Sequence, residues 1–494
     1  MGSRVILKGV YPAIVTCFNE KGEIDFEKLG DVIDYVMRHG CSGLVVAGTT
    51  GEFIYLSDIE RKNLIKFVVE YSDGKYPVIA GTGSADTHST LELSRFAADI
   101  GSDALLVVSP YYIKTIDKEL HDHYIAIANN VDIPVILYNI PQVTGVELPW
   151  WVVEALADHR NIVGIKDSSG NMPYFMTLIE KLKDKFYILC GHDEIATSAL
   201  LSGADGVILA SANILPDIWV NIYSSIVAGK VDMALELQRR IQTIVRLIVK
   251  GGPVAVKSAL NMIGIDAGGS RIPLIRGGRY RYEDEDLLRH HLFKLGKIAK
   301  KKIKIVSDGA EFDHEYPAIS YTPPTLSSFE IKVGESFTSP GTVDLAHIDL
   351  IIGYRNGPVG AAFDKALNEK LAGHEPQVVK YEGMDVEPIT ILIPTVRVVN
   401  EVHHNLIYKY ASRGIARAIL ECVEDGYIPH KLKDKLCIIA HVFVHPEATN
   451  RRRIEINNYK AMLNALIRAI ENRPCIEELE ELYRYSRHPF RYTP

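Results

Sequence analysis

Apolar residues in the first 300 positions fall in short unbroken runs separated by longer amphipathic stretches. The runs are Ala13–Thr16, Gly43–Ala47, Pro77–Ala80, Ala104–Val108, Pro134–Tyr138, Ile162–Lys166, Tyr187–Cys190 and Gly206–Ala210. The stretches between them begin with a helix from Phe26 and recur near 58–72, 86–100, 117–130, 148–158, 172–183, 193–202 and 216–229. In the first helix Leu29, Val32, Ile33, Val36 and Met37 share one face, and Gly40 follows where a helix can end in a left-handed residue. Continuous rather than alternating apolar strands belong to parallel sheets covered on both faces. Such strands, each followed by a helix, predict an α/β fold, a TIM (β/α)8 barrel with extra C-terminal helices, over residues 1–303.

That periodicity is lost over 304–327, where Pro, Ser and Asp collect, and the stretch reads as a linker. Residues 328–494 carry a different pattern, with strands expected at Phe329–Val333, Leu345–Ile352, Pro388–Val399 and Leu436–Val444. Helices are expected at Val359–Leu371, His403–Glu424 and Arg453–Glu471. The βα unit does not repeat there, so the second domain is a smaller α/β domain of the α+β type.

Composition narrows the function. A chain of 494 residues, 47% hydrophobic and 24% charged, is globular and too long for a single core. Its net charge of −7 argues against nucleic acid and anionic membranes as partners. Cysteines 17, 41, 190, 422, 437 and 475 are scattered with no C-x-x-C pair, as in a reducing compartment, and no run approaches a membrane span. A cytoplasmic enzyme is the expectation.

In such barrels the chemistry sits at the C-terminal ends of the strands. Lys166 ends one apolar run and meets a polar turn. Burial strips away the solvation that favours an ammonium, which is how a lysine becomes an amine nucleophile able to form a Schiff base. The plainer reading is a strand-end lysine paired with Asp167 at the surface. The other strand ends offer Gly48-Thr-Thr-Gly-Glu52, Ser109-Pro-Tyr-Tyr112 and Tyr138-Asn-Ile-Pro141. Amides and hydroxyls of Thr49 and Thr50 suit a carboxylate, and a tyrosine phenol suits proton transfer. Taken singly, Gly-Thr-Thr-Gly is equally a βα turn and Tyr138 equally a core aromatic. In the second domain His347 and His445 suit acid–base work, although a lone strand histidine is commonly just part of the core. Their spacing matches no zinc pattern, and no metal is assigned.

Gly48-Thr-Thr-Gly-Glu52, Tyr138-Asn-Ile-Pro141 and Gly164-Ile-Lys-Asp-Ser168 resemble the pyruvate-dependent class I aldolase family of dihydrodipicolinate synthase and N-acetylneuraminate lyase, over about residues 6–300. The resemblance implies an imine between Lys166 and pyruvate or another 2-oxo acid, with no covalently bound cofactor. It makes Tyr138 the acid–base phenol, Tyr112 its relay partner, Thr49 and Thr50 the carboxylate-binding pair, and Gly191 and Ile208 pocket-lining residues. Members that use aspartate semialdehyde carry an arginine where this chain has Val143, and a valine cannot pair with a carboxylate. A 2-keto-3-deoxy sugar acid aldolase is therefore an alternative to 4-hydroxy-tetrahydrodipicolinate synthase.

From about residue 328, Val343-Asp-Leu-Ala-His-Ile-Asp-Leu-Ile-Ile-Gly353, Gly357-Pro-Val-Gly360, Val442-Phe-Val-His-Pro-Glu-Ala448, Asn458-Tyr459 and Arg487-His-Pro-Phe490 resemble the formaldehyde-activating enzyme. That family condenses formaldehyde with tetrahydromethanopterin. The resemblance implies His347 as the acid, with Asp344 and Thr390 at the pterin. A glutamine of relatives is replaced by Ser412, which leaves a non-catalytic pterin- or formaldehyde-binding domain as the other reading. The partners implied are a 2-oxo acid, an aldehyde, formaldehyde, the pterin and further copies of the chain, because both families form homo-oligomers.

Overall fold

The structure, a computed structural model, describes residues 6–274, 280, 282–298, 300–307, 310–317, 329, 331–338, 342–368 and 372–470. The chain divides into two compact units, one built mainly from residues 1–301 and the other mainly from 321–494.

The first unit is a barrel of eight parallel strands. They are β1 (Gly9–Pro12), β2 (Leu44–Val46), β3 (Val78–Gly81), β4 (Ala104–Val108), β5 (Val135–Asn139), β6 (Ile162–Asp167), β7 (Tyr187–Cys190) and β8 (Gly206–Leu209). Sequential pairing runs from β2 to β8, and β8 returns to pair with β1. A parallel bridge between Ala13 and Val45 closes the ring. The expected helices lie between the strands, and two more, Val231–Met262 and Tyr282–Lys294, follow β8. Among the described residues no helix is long and apolar enough to cross a membrane.

Two expectations shift. The first strand is Gly9–Pro12 rather than Ala13–Thr16. Glycine and proline are poor strand formers, but here Gly9 faces Gly206 across the closing ladder, and proline takes the last strand position. The apolar run that follows makes the single bridge to Val45 and then leaves the sheet. The 304–327 stretch is not irregular throughout, because β9 (Lys300–Ser307) and β10 (Ala310–Pro317) pair as a two-stranded sheet.

The second unit is a five-stranded mixed sheet in the order β11 (Lys332–Thr338), β12 (Ala346–Tyr354), β17 (Leu436–Val444), β16 (Ile389–Pro394), β13 (Gln377–Val378). A separate pair, β14 (Lys380–Tyr381) and β15 (Met384–Asp385), stands beside it in sequence. β11 starts three residues later than the apolar pattern at Phe329 indicates, because its own burial alternates, with Lys332, Gly334 and Ser336 buried between exposed neighbours. Helix Arg451–Ile470 covers the face that carries Gly334, whose missing side chain lets Ala465 and Ala469 approach. Helix Pro358–Asn368 covers one end of the other face through Val359 and Phe363 against Ile391, Cys437 and Ile439. The long helix expected from His403 runs Glu401–Glu424 but is interrupted by a π-helical segment, Leu406–Ala411, just before Ser412. The five described cysteines, Cys17, Cys41, Cys190, Cys422 and Cys437, are all free and buried.

Barrel closure depends on backbone contact at Gly206. A Cβ there would lie 2.6 Å from the Gly9 carbonyl oxygen and 2.9 Å from its nitrogen. Gly206→Ala should therefore wedge β1 from β8 and cost about 1–3 kcal/mol. Thermal melting should register this as a lower midpoint with the helical signal retained below it.

Candidate functional site

The barrel's interior chemistry is set by the phase of β6. An irregularity opposite Val135 and Ile136 inserts one extra residue, Val163, into β6. Beyond it Ile165 and Asp167 face the helices while Lys166 faces the barrel axis. Lys166 is only 4% exposed, and its Nζ lies 4.2 Å from the centroid of the Tyr138 ring on the paired strand β5. The surface pair with Asp167 does not form. Asp167 is buried on the other side, accepting from Asn139 Nδ2 at 2.8 Å and from Ser169 Oγ at 2.9 Å. Burial raises the pKa of its carboxyl group despite these bonds.

Tyr138 Oη lies 3.3 Å from Thr49 Oγ1, so phenol and threonine share a hydrogen bond. Thr49 and Thr50 are half-buried on the loop after β2. That loop is bracketed by two non-glycine residues in left-handed conformation, Ala47 (φ 55°) and Glu52 (φ 57°). Such backbone strain persists only where surroundings impose it and gathers at functional sites. Thr16 Oγ1 fastens the loop by donating to the Gly51 carbonyl at 2.6 Å. A small cavity opens beside Tyr138, lined also by Ala47, Gly48, Phe53, Gly81 and Gly83. Ile208 belongs to the barrel-interior cluster with Tyr138 and Leu189.

Gly191 has a direct steric role. A Cβ there would lie 2.5 Å from Lys166 Cε and would collide with Ser168 Oγ. Only glycine leaves the lysine room. The same contact brings out a residue that sequence reasoning missed: Ser168 is 3% exposed, and among the described residues its hydroxyl has no hydrogen-bond partner. Its signal in the sequence is its place two residues after Lys166. One predicted residue, Tyr112, is not brought to this site: at φ 79° it is 95% exposed. Val143, just past β5 in the short helix Pro141–Thr144, is 63% exposed.

In the second unit His347 is 7% exposed on β12. Its Nε2 lies 2.8 Å from Glu335 Oε1 and 3.5 Å from Asp349 Oδ1. Register explains the grouping: Glu335 on β11 faces Asp349, two residues along the strand from His347. The potential ligand atoms of the three lie within 4.8 Å of one another, a convergence that linear spacing does not reveal. Burial lowers the pKa of His347, but the Glu335 hydrogen bond and the charges of Asp349 and Glu335 outweigh it, and the net shift is upward. Thr390 falls on the opposite face of the sheet, since its neighbour Ile391 shares the face of Ile439 and, two pairs along, of Phe443 and His347. Asp344 is tied to helix Arg451–Ile470, with Arg453 Nη1 at 3.4 Å and Asn457 Nδ2 donating to its carbonyl at 2.6 Å. Ser412 is buried at the end of the π-helical segment. His445 accepts from the Glu447 amide. The Arg487–Phe490 motif lies outside the described residues.

Two measurements test this geometry. Gly191→Ala should lower borohydride trapping of pyruvate on Lys166 by roughly a hundredfold, the scale set by an ångström of misplacement, while circular dichroism stays native. A histidine pKa raised by folding adds stability below its ordinary value, and that stability is lost as pH rises through the folded value. Glu335→Gln removes a raising influence, so the NMR titration midpoint of the His347 ring should move down.

Comparison with known proteins agrees with both halves. Residues 6–284 match the "Dihydrodipicolinate synthetase family", and residues 333–491 match the "Formaldehyde-activating enzyme (Fae)" family. The 4-hydroxy-tetrahydrodipicolinate synthase of Methanothrix thermoacetophila is 39% identical over 295 residues, 59% of this chain and 98% of that protein. A dihydrodipicolinate synthase crystal structure superposes with a TM-score of 0.57 at 37% identity, covering 59% of this chain and all of the other. The chloride-inhibited Acinetobacter baumannii enzyme, complexed with pyruvate, gives 0.57 at 36% identity over 60% of this chain and all of its own. The chain belongs to the dihydrodipicolinate synthetase family, and its C-terminal part carries the formaldehyde-activating enzyme domain.

Proposed function

We propose that the protein is a bifunctional enzyme, a Schiff-base lyase for 2-oxo acids joined to a domain that condenses formaldehyde with tetrahydromethanopterin. The observation that carries the first half is the buried Lys166 amine over the Tyr138 ring, with Thr49 on the phenol. Lys166 Nζ adds to the ketone carbon of pyruvate or a related acid, and loss of water leaves an imine. The Tyr138 hydroxyl, held by Thr49, moves the proton, while Thr49 and Thr50 receive the carboxylate. A relative crystallised with pyruvate supports that acid as the ligand.

The named relatives favour 4-hydroxy-tetrahydrodipicolinate synthesis. Two observations favour cleavage of a hydroxylated 2-oxo acid instead: Val143 offers no positive charge, and the buried Ser168 hydroxyl beside Lys166 has no partner among the described residues. In the second domain His347, flanked by Glu335 and Asp349, is the candidate acid, with Asp344 as a pterin contact; Thr390, buried on the opposite face of the sheet, takes no part in that site. The protein acts as a homo-oligomer in the cytoplasm, with residues 304–327 joining the domains. Linkage has a chemical rationale, because a 4-hydroxy-2-oxo acid with no carbon beyond C4 releases formaldehyde on cleavage. A tethered acceptor then captures it at raised effective concentration.

Borohydride with pyruvate should trap an adduct in the wild type and none in Lys166→Ala; trapping that survives the substitution removes the lysine from this role. His347→Ala should cut formaldehyde-dependent pterin turnover by about two to four orders of magnitude, and near-normal turnover would leave the histidine structural. Given 4-hydroxy-2-oxobutanoate and tetrahydromethanopterin, the full-length protein should produce methylene-tetrahydromethanopterin. Ready cleavage of longer 2-keto-3-deoxy acids without that product would favour the sugar-acid reading.

A further inference from the structure

Behind the Gly48–Glu52 loop lies a buried charge cluster that the chemistry above does not use. The side chains of Lys257 and Glu52 are 2% and 0% exposed, with Nζ 2.6 Å from Oε1. Glu52 Oε2 accepts from the Arg271 amide at 3.0 Å. Lys257 Nζ donates to the Gly269 carbonyl at 2.7 Å and sits 4.3 Å from the centroid of the Phe18 ring. The Arg271 guanidinium stacks on the same ring at 4.5 Å, donates to the carbonyls of Gly22 and Tyr55, and pairs with Glu60. Lys257 is delivered by helix Val231–Met262, just past its kink at Gly252 and Pro253. One carboxylate thus ties the loop after β2 to helix Val231–Met262 and the turn at Arg271, and through Lys257 and Arg271 to the chain after β1.

Neither feature of Glu52 is explained by stability. Burying an ion pair commonly gains nothing over an apolar pair of equal volume, because desolvation offsets the attraction. The Lys257 pKa is lowered by that desolvation even with Glu52 against it. A left-handed glutamate adds strain. Both costs fall on the residue that terminates the loop holding Thr49 and Thr50. We infer that Glu52 and Lys257 are a positioning pair that holds this loop in the conformation that receives the carboxylate of the 2-oxo acid. The inference rests on the reading of Thr49 and Thr50 as the carboxylate site. Among the described residues the pair touches neither Lys166 nor Tyr138 and reaches the phenol only through Thr49, so its loss falls on carboxylate recognition far more than on amine reactivity.

The test separates those two effects with two carbonyl probes on the full-length protein. Borohydride trapping on Lys166 is titrated with pyruvate, which has a carboxylate, and with acetone, which has none. In Lys257→Met, and in the charge-free double variant E52Q/K257M, half-saturation by pyruvate should rise roughly ten- to a hundredfold. Acetone trapping should stay within about twofold of wild type. The double variant leaves no unpaired buried charge, so it keeps the question answerable if Lys257→Met alone fails to fold. Unchanged pyruvate half-saturation in the double variant would overturn the inference, and so would pyruvate and acetone trapping falling together. A wild type that forms no pyruvate adduct would fail earlier and for a different reason, by removing the Schiff-base reading itself.

Discussion

One extra residue in β6 fixes the chemistry of the barrel. In a parallel sheet covered on both faces, inward and outward positions alternate strictly, and a single insertion reverses every side chain beyond it. With Val163 inserted, the amine of Lys166 points to the axis and the carboxylate of Asp167 points to the helices. The two charges adjacent in sequence are thereby prevented from neutralising each other. Asn139 and Ser169 then satisfy Asp167, so that carboxylate serves as an anchor for the strand end rather than as a partner for the amine. Tyr138, Thr49, Ser168 and Gly191 take their meaning from this phase, because each is placed relative to a lysine that faces inward.

The second sheet arrives at a comparable result by a different route. Its strands are mostly antiparallel, so residues from separate strands face each other directly and can be selected pair by pair. Glu335, His347 and Asp349 form one such selection on a face that helix Pro358–Asn368 leaves partly uncovered. The opposite face is given over to packing against helix Arg451–Ile470. A buried imidazole with a carboxylate on either side keeps its proton more readily than burial alone would allow. One domain buries an amine beside an aromatic ring; the other buries an imidazole between acids.

The barrel was legible because continuous apolar strands and one-faced helices both leave local patterns, and strands two to eight fall where those patterns put them. The first strand was not, since Gly9 and Pro12 are tolerated only by a neighbour that cannot be seen along the chain. The ladder β9–β10 was missed because its polar residues resemble a connector. The inward lysine was readable as an option, but the insertion that decides between inside and surface is a register property. For the same reason the sequence motifs named His347 but not Glu335, which pairing brings to it from another strand. The buried contact of Glu52 with Lys257 joins residues from opposite ends of the barrel sequence, and no local signal announces it.

Buried thiols carry a consequence for a chain read as handling an aldehyde. A thiolate is the reactive form of cysteine, and its abundance depends on pKa and access. Cys17, Cys41 and Cys190 are all pushed up to about 12 by burial, and Cys437 to about 11. Each is therefore shielded sterically and also held in its unreactive protonated form. Among the described residues every cysteine thiol of the folded protein is buried away from an electrophile in solution. Folding itself then protects these described thiols against hemithioacetal formation by the chain's own proposed metabolite, and partial unfolding would expose them to self-inflicted modification.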